Sequence, residues 1–293
     1  MSSYRFCRTD DIGLLVDALN RCWAPYVPDE PPMTPAAFKR SIRDLQVWCS
    51  SCMVAFADAD PVGVLIGAKR ASATLVHRIA VHPDHQRQGH GRHLLDSLAS
   101  KLAILGPPRI VAEVSDGIDA ARRLFSACGY VEEAVLTDYA LACGDGQAVE
   151  EPLMGEGGSF VIPVTVDDLA ANGLLGDGQP EVCWERSVDT LTARKDEIAG
   201  HAVASDERIE AYALYVVRAP AVEILALREL RKDDGTRLRR LLAQLRGQGM
   251  KAALFPKVHA REISLDVIEA LGFRPVATHR RYAATLRPGA PSP

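Results

Sequence analysis

Apolar residues along this chain alternate between short continuous runs and stripes at helical spacing. Runs rich in Val, Ile and Leu and bounded by Gly, Pro or Asp predict strands at 4–8, 53–57, 62–68, 75–81, 109–114 and 136–142. Stripes with apolar residues three and four apart, preceded by cap residues, predict helices at 12–22, 35–45, 91–105 and 119–128. The strongest stripe lies in the third helix: Leu94, Leu95, Leu98, Leu102 and Leu105.

The second half of the chain repeats this plan. A strand at 160–164 precedes Thr165-Val166-Asp167-Asp168-Leu169, which resembles Thr9-Asp10-Asp11-Ile12. A hairpin is predicted at 198–204 and 211–217 and a helix at 237–245. Gly129 precedes Tyr139 as Gly272 precedes Tyr282, which favours a tandem duplication. The predicted domains are 1–143 and 159–287, with a linker at 144–158 and a disordered tail at 288–293.

Length and charge narrow the class of protein. The 293 residues predict about two domains at roughly 150 residues each. With 34 basic and 38 acidic residues the net charge is −4, so we expect neither nucleic acid nor a membrane surface as partner. The longest stretch without Asp, Glu, Lys or Arg, 45–57, is too short to cross a bilayer. The start of the chain shows no apolar signal core, which predicts a cytoplasmic protein.

The cysteines predict neither a disulfide framework nor a metal centre. There are 7, an odd number spread over a long chain, which favours reduced thiols. Cys49 and Cys52 have the spacing of a redox motif, but they lead into a strand and no second pair completes a metal site. We interpret them as ordinary half-buried residues.

The most informative segment joins the strand at 75–81 to the leucine-striped helix. Gly89 and Gly91 allow the loop backbone to approach a ligand closely, and the helix that follows adds unpaired amides and a partial positive charge. Together these features form a socket for pyrophosphate, to which Arg87 and Arg92 can add charge-assisted bonds. The pattern Gln86-x-x-Gly89-x-Gly91, preceded by Val81-x-Pro83, resembles the GNAT superfamily of acetyl-CoA-dependent N-acetyltransferases.

The resemblance implies both a fold and a co-substrate. The fold is α+β: two tandem domains, each a mixed, mostly antiparallel sheet that is splayed between its fourth and fifth strands and flanked by helices. Acetyl-CoA would bind with its pantetheine in the splay, and the N–H of Val81 would polarise the thioester carbonyl. No metal is implied. The residues expected to bind the cofactor are Ile79, Ala80, Val81, Gln86, Arg87, Gln88, Gly89, His90, Gly91 and Arg92.

Glu113 is the candidate catalytic residue. It lies in an otherwise apolar strand, sixteen residues before Gly129, the position at which some family members carry a glutamate. It could act as the general base that takes a proton from the acceptor amine, or it could pair with an arginine in the core. Where the family has a tyrosine that protonates the departing thiolate, this chain has Phe125. Residues that could replace that tyrosine are Tyr130, Cys128 and Tyr139.

Three histidines surround the motif. His77, His82 and His85 are interpreted as ordinary strand and turn residues, although His77 could act as a second base.

The second half is predicted to keep the fold and to lack the cofactor site. Alignment of the leucine stripes places Asp233, Thr236 and Leu238 where the first half has Gln86, Gly89 and Gly91. A carboxylate would repel pyrophosphate, and the two larger side chains would fill the space it needs. Pro256 stands sixteen residues before Gly272, where it is neither a base nor suited to a central strand. A basic run around the predicted helix at 237–245 is interpreted as a solvated face, with binding of an acidic acceptor as the alternative: Arg228, Arg231, Lys232, Arg237, Arg239 and Arg240.

The favoured function is direct transfer of an acetyl group from acetyl-CoA to an amine of a small molecule or peptide. Trp23 and Tyr26, beside a proline-rich loop at 24–33, are expected to contact the acceptor, with core packing as the alternative. Two other functions stay open: a non-catalytic acyl-CoA sensor, and transfer to a hydroxyl or thiol or from a longer acyl-CoA. The two halves are expected to form an intramolecular pseudo-dimer in a chain that is a monomer or a homodimer.

Overall fold

The computed structural model describes residues 2–142, 159–175, 181–219 and 221–286. The predicted linker and the predicted tail lie outside these residues. The described chain divides into two compact units, the first formed by residues up to 134 together with those from 280 onward, and the second by residues 135–279. Within the described residues, no helix combines the length and apolar character needed to cross a membrane.

The first unit is a sheet with helices against it. Its strands are β1 (Ser2–Phe6), β2 (Met53–Ala57), β3 (Asp60–Lys69), β4 (Thr74–Val81) and β5 (Arg109–Ser115), in that order across the sheet. Its helices are α1 (Ile12–Cys22), α2 (Pro35–Leu45), α3 (His90–Leu105) and α4 (Asp119–Ala127). Neighbouring strands are antiparallel except β4 and β5, which are parallel, so the mixed and mostly antiparallel sheet is confirmed.

Local sequence explains where these helices begin and end. The Thr34 side chain accepts the Ala37 amide at the start of α2, where Pro35 occupies the first helical position. The predicted third helix is confirmed and buries four of its five stripe leucines, whereas Leu105 is exposed. Gly129 follows α4 with φ of 78°, the left-handed conformation expected after a helix.

The splay between β4 and β5 is present. Thr74, Leu75 and Val76 pair with Ile110, Val111 and Ala112, and there the register ends although both strands continue. On its other side β4 carries a bulge, because Ile66 lies opposite Arg78 and Gly67 opposite Val76, which leaves His77 as the extra residue. Glu113 and His77 are therefore the first residues beyond the paired part of the two strands.

The second unit repeats the arrangement. It contains β7 (Phe160–Pro163), β8 (Ala199–Ala204), β9 (Ile209–Arg218), β10 (Ala221–Glu229) and β11 (Ala252–His259), and β11 pairs with residues 136–142 of β6 (Val131–Ala142). Its helices are α5 (Val166–Ala171), α6 (Val188–Ala193), α7 (Thr236–Gly247) and α8 (Leu265–Ala270). Among the described residues of this unit, β10 and β11 form a parallel pair that covers Ala221–Glu223 of β10 and then ends, as in the first unit, whereas the other neighbouring strands are antiparallel.

Two details of the second unit differ from the sequence prediction. Strands β10 and β11 were not predicted, and Pro256, which was judged unsuited to a central strand, lies inside β11. Pro256 is accommodated because the β11–β6 register shifts between Phe255 and Val258, so its missing N–H falls at a bulge.

The units as grouped by contacts do not coincide with the two linear segments. Residues 280–286, from the end of β12 (Arg274–Thr285), belong to the first unit, while residues 135–142 of β6 belong to the second. Tyr282 lies in the core of the first unit and Tyr139 in that of the second. The linear domains predicted from the sequence would instead assign residues 135–142 to the first half and residues 280–286 to the second.

Candidate functional site

The loop that joins β4 to α3, residues 86–92, is called the phosphate loop here. Arg87 and Gly89 adopt left-handed backbone conformations, with φ of 62° and 86°. The first hydrogen bond of the helix runs from the His93 amide to the Gly89 carbonyl (3.0 Å), so the amides before His93 precede the helical ladder. Within the described part of the first unit, no side chain is hydrogen-bonded to the amides of residues 87–92. A Cβ on Gly89 would have no atom within 4 Å, which leaves open space beside these donors.

The two glycines serve different purposes. Gly89 is required by its positive φ, whereas a Cβ on Gly91 would lie 3.0 Å from Cδ2 of Leu124. Gly91 therefore permits the close packing of α3 against α4, and its amide remains at the exposed end of the helix.

The side chains of the phosphate loop are mostly directed away from its amides. The His90 ring is buried and its Nδ1 lies 2.8 Å from the Tyr4 hydroxyl. The Arg92 guanidinium donates to the Ala127 carbonyl at the end of α4 (3.0 Å). Gln86 donates from Nε2 to the Tyr26 hydroxyl. His90 and Arg92 thus offer an anion their backbone amides, whereas the Gln86 amide donates to the Pro83 carbonyl (3.3 Å). Arg87 and Gln88 are exposed.

The backbone of β4 supports only part of the predicted pantetheine contact. The His82 amide donates to the Val62 carbonyl (2.9 Å) and Val81 lies opposite Gly63, so Val81 and Gly63 form a non-hydrogen-bonded pair. The N–H and C=O of Val81 therefore point away from β3, and those of Ile79 do the same. Ala80 alternates with them and pairs with Val64 of β3, so its amide is not available to a ligand.

Glu113 is held by an arginine. Its Oε1 lies 3.2 Å from Nη2 of Arg281, and both side chains are almost fully buried. The structure thus supplies the core arginine that the sequence left as one interpretation of this carboxylate. A buried carboxylate with such a partner is stabilised in its charged form.

The neighbourhood of Phe125 is apolar. Its ring is buried, stacks on Tyr282 (centroids 5.9 Å apart) and meets Tyr130 edge-on (5.2 Å). Burial raises the pKa of Tyr130 and that of Cys128, so both groups keep their protons at neutral pH. The Tyr130 hydroxyl has no hydrogen-bond partner among the described residues. Tyr139, the third substitute, belongs to the core of the second unit.

The predicted acceptor loop lies against β4. The Arg78 guanidinium lies 5.0 Å from the Trp23 ring centroid and 3.4 Å from Glu30, which also accepts from the Trp23 indole (3.4 Å). Only about 10 Å³ of free space remains among these residues, so Trp23 is engaged in packing and pairing. Tyr26 instead lies at the end of β4, where its hydroxyl donates to the Val81 carbonyl (2.5 Å).

The remaining sequence candidates have ordinary surroundings. His82 caps the short turn after β4, accepting the Asp84 amide at Nδ1 (3.4 Å). The six described cysteines form no disulfide and are buried, and burial raises the pKa of Cys49 and that of Cys7, the latter to about 12. Thiols that stay protonated are poor nucleophiles, so Cys49 and Cys52 are structural residues.

The corresponding loop of the second unit keeps its shape but is filled from within. Gly235 precedes α7 with φ of 79°, so a glycine occupies the position that the stripe alignment assigned to Thr236. The Glu229 carboxyl accepts the amides of Asp233 (3.0 Å) and Gly235 (3.1 Å), and Asp233 in turn accepts the Arg237 amide (3.2 Å). Burial and the hydrogen bond with Asp233 raise the pKa of Glu229. The donors that would hold a phosphate are therefore already satisfied.

The splay of the second unit is also filled. Arg186 donates to the carbonyls of Leu225 on β10 (3.2 Å) and Lys257 on β11 (3.0 Å), beyond the last parallel pair of these strands. It forms two 2.6 Å bonds to Glu262 and lies 4.7 Å from the Phe255 ring centroid. Phe255 follows the last parallel pair as Glu113 does in the first unit, so the carboxylate has no counterpart.

The basic run of the second unit is neutralised in part by its own unit. Glu210 pairs with Arg231 and Arg237, Glu262 accepts from Arg228, and Arg240 donates to Ser159. The interpretation of this run as a site for an acidic partner loses support.

Comparison with known proteins agrees with this geometry. Residues 15–130 match the model of the Acetyltransferase (GNAT) family, whereas no curated protein matches the sequence. A GCN5-related N-acetyltransferase from Sphaerobacter thermophilus is similar in structure, with 16% identity, a TM-score of 0.67 and 99% of this chain and 97% of that one covered. A tandem GNAT protein from the clavulanic acid biosynthesis pathway has the same identity and TM-score and covers 99% and 100%.

A third structure, a putative acetyltransferase from Pyrococcus horikoshii, is 17% identical with a TM-score of 0.56, and 99% of this chain and 92% of that one are covered. At these identities the likeness concerns the fold, and it extends over both units. Residues 15–130 thus match the GNAT family of acetyltransferases, and the chain is similar in fold to a tandem GNAT protein.

Proposed function

We propose that the first unit transfers an acetyl group from acetyl-CoA to an amine of a small molecule or peptide, and that the second unit binds no cofactor. The observation that carries this proposal is the contrast between the two β–α loops. Among the described residues, amides 87–92 have no protein acceptor and Gly89 borders open space, whereas amides of the second loop donate to Glu229 and Asp233. Free amides at a helix N-terminus fit the diphosphate of coenzyme A.

The chain's own groups would act on the acetyl donor as follows. The N–H groups of Ile79 and Val81 point away from β3 and can donate a hydrogen bond to the thioester carbonyl, which favours attack on that carbonyl. The acceptor nitrogen forms a bond to the acetyl carbon as the carbon–sulfur bond breaks. The amine loses a proton to a base, and the thiolate, with a free-thiol pKa near 8.5, leaves without a tyrosine at position 125.

Glu113 is proposed as that base, and its arginine allows a direct test. We expect Glu113→Gln to lower kcat about 10²-fold or more, with little change in the KM for acetyl-CoA, because a general base contributes on this order. The assay follows thiol release with a panel of amines at several pH values.

Arg281→Gln is the matched control. It removes the same ion pair but keeps the carboxylate. If Glu113 is the base, the control retains most of the activity; equal losses in both variants, accompanied by equal losses of stability, would assign the pair a structural role.

A non-catalytic acyl-CoA sensor is the second candidate. Phe125 lacks the hydroxyl of the general acid, and Glu113 is engaged with Arg281, and both observations favour it. Tight binding of acetyl-CoA without thiol release for any amine, hydroxyl or thiol acceptor would support the sensor and reject the enzyme.

A further inference from the structure

Tyr26 connects two segments that meet at the end of β4. It ends a short 3-10 turn, Ala24–Tyr26, that follows α1, so it belongs to the loop predicted to contact the acceptor. Its hydroxyl donates to the Val81 carbonyl (2.5 Å) and accepts from Nε2 of Gln86. One hydroxyl thus links the last residue of the strand to the first residue of the phosphate loop.

Both partners of this hydroxyl need a fixed position. The Val81 carbonyl points away from β3 and has no strand partner on that side. Gln86 precedes Arg87, which holds a left-handed backbone conformation that is unfavourable for a side chain with a Cβ. Such a conformation persists only where surrounding contacts determine it, and the Gln86 side-chain bond is such a contact immediately before it.

Gln86 thereby directs one side-chain N–H to Tyr26 instead of to the diphosphate. Its amide nitrogen is directed to Tyr26, while the loop amides that face open space lie further along, at residues 87–92. The motif glutamine acts on the loop through the tyrosine rather than through the ligand.

We propose that Tyr26 is a positioning residue for the phosphate loop: its hydroxyl holds Gln86 and the end of β4 so that the loop amides converge on the diphosphate of coenzyme A. The inference rests on the proposed function and gives Tyr26 a role toward the cofactor instead of the acceptor. The hydroxyl of Tyr26 also connects the loop at 24–33 to the phosphate loop by a hydrogen bond.

The test measures binding, so no acceptor has to be known. Calorimetry gives the Kd of coenzyme A for the full chain, for Tyr26→Phe and for Tyr212→Phe. Tyr212 is the matched control because its hydroxyl donates to the Leu174 carbonyl (3.3 Å) in the second unit. We expect Tyr26→Phe to raise the Kd about tenfold and the control to leave it unchanged.

Two further measurements separate positioning from a general loss of structure. S-acetylpantetheine lacks the diphosphate, so its Kd should be the same for the full chain and for Tyr26→Phe. In a double-mutant cycle with Gln86→Leu, the double variant should lose no more affinity than the larger single loss, because both act through one bond.

The possible results are distinguishable. If the unmodified chain binds no coenzyme A, the proposed function fails. If it binds coenzyme A and Tyr26→Phe binds equally well, or weakens S-acetylpantetheine to the same degree, or adds its effect to that of Gln86→Leu, the positioning role is overturned.

Discussion

His90 is the first residue of α3, yet its ring contributes to the core rather than to the loop. Its Nδ1 meets the Tyr4 hydroxyl, and its Nε2 is buried without a partner among the described residues. A protonated imidazole would bury an unpaired N–H at the positive end of a helix. Burial, together with the charges of His85 and His93, accordingly lowers the pKa of His90.

This residue predicts a pH dependence of stability. Because the folded-state pKa lies below the unfolded value of about 6.5, the unfolded chain binds the extra proton more readily. The contribution of neutral His90 to the free energy of unfolding is complete above pH 6.5 and is lost as the pH falls below that value. We expect the difference in unfolding free energy between the unmodified chain and His90→Gln to shrink between pH 7 and pH 5, as measured by urea unfolding. A difference that is constant over this range would contradict the assignment.

At the scale of elements, the two β–α loops share a backbone conformation but differ in what their amides bind. Gly89 and Gly235 have nearly the same φ and both precede a leucine-striped helix. What separates the loops is an acidic side chain, since Glu229 at the end of β10 occupies the amides of its own loop. In the second loop, the Glu229 carboxyl thus takes the place that a bound phosphate would occupy.

Removing this internal anion should destabilise the second unit. Glu229→Ala leaves the amides of Asp233 and the buried Gly235 without their acceptor, so we expect a loss of about 1–3 kcal/mol in chemical unfolding. Glu223→Ala, on the same strand and paired only loosely with Arg218 (3.8 Å), should cost less than about 1 kcal/mol. Equal losses in the two variants would show that the loop does not depend on Glu229.

For the whole molecule, duplication has produced two copies of one fold with a cofactor site expected in only one. The buried Arg186–Glu262 pair occupies the second splay, and charges buried in this way tolerate the loss of a partner poorly. The first splay ends in Glu113 and Arg281, the latter supplied by the C-terminal strand.

The chain should therefore bind one coenzyme A. We expect calorimetry to give a stoichiometry of one per chain, and Gly89→Glu to abolish binding, because the carboxylate enters the space beside the loop amides. Gly173→Glu is the control, since Gly173 also has a positive φ (68°) and open surroundings but lies in the second unit. Two equivalents bound, or binding retained in Gly89→Glu, would refute the single site.

Local sequence was sufficient for several elements. Thr34-Pro35, the leucine stripe of α3 and Gly129 each act through neighbours a few residues away, so helix ends and the loop before α3 could be predicted without tertiary contacts. Strand β10 was missed, and Pro256 was judged unsuited to a strand, because bulges and pairing depend on a partner far along the chain.

The sequence by itself determined the repeated plan and the glycine-bearing loop of the first half, whereas the shape of the second loop and the carboxyl that fills it emerged only in the structure. The tertiary structure alone decided what each site residue touches: Gln86 with Tyr26, Glu113 with Arg281, and Arg186 between two strands. The physical reason is range. Backbone conformation follows from neighbouring residues, whereas each of these contacts joins positions at least 39 residues apart and exists only after the sheet has formed.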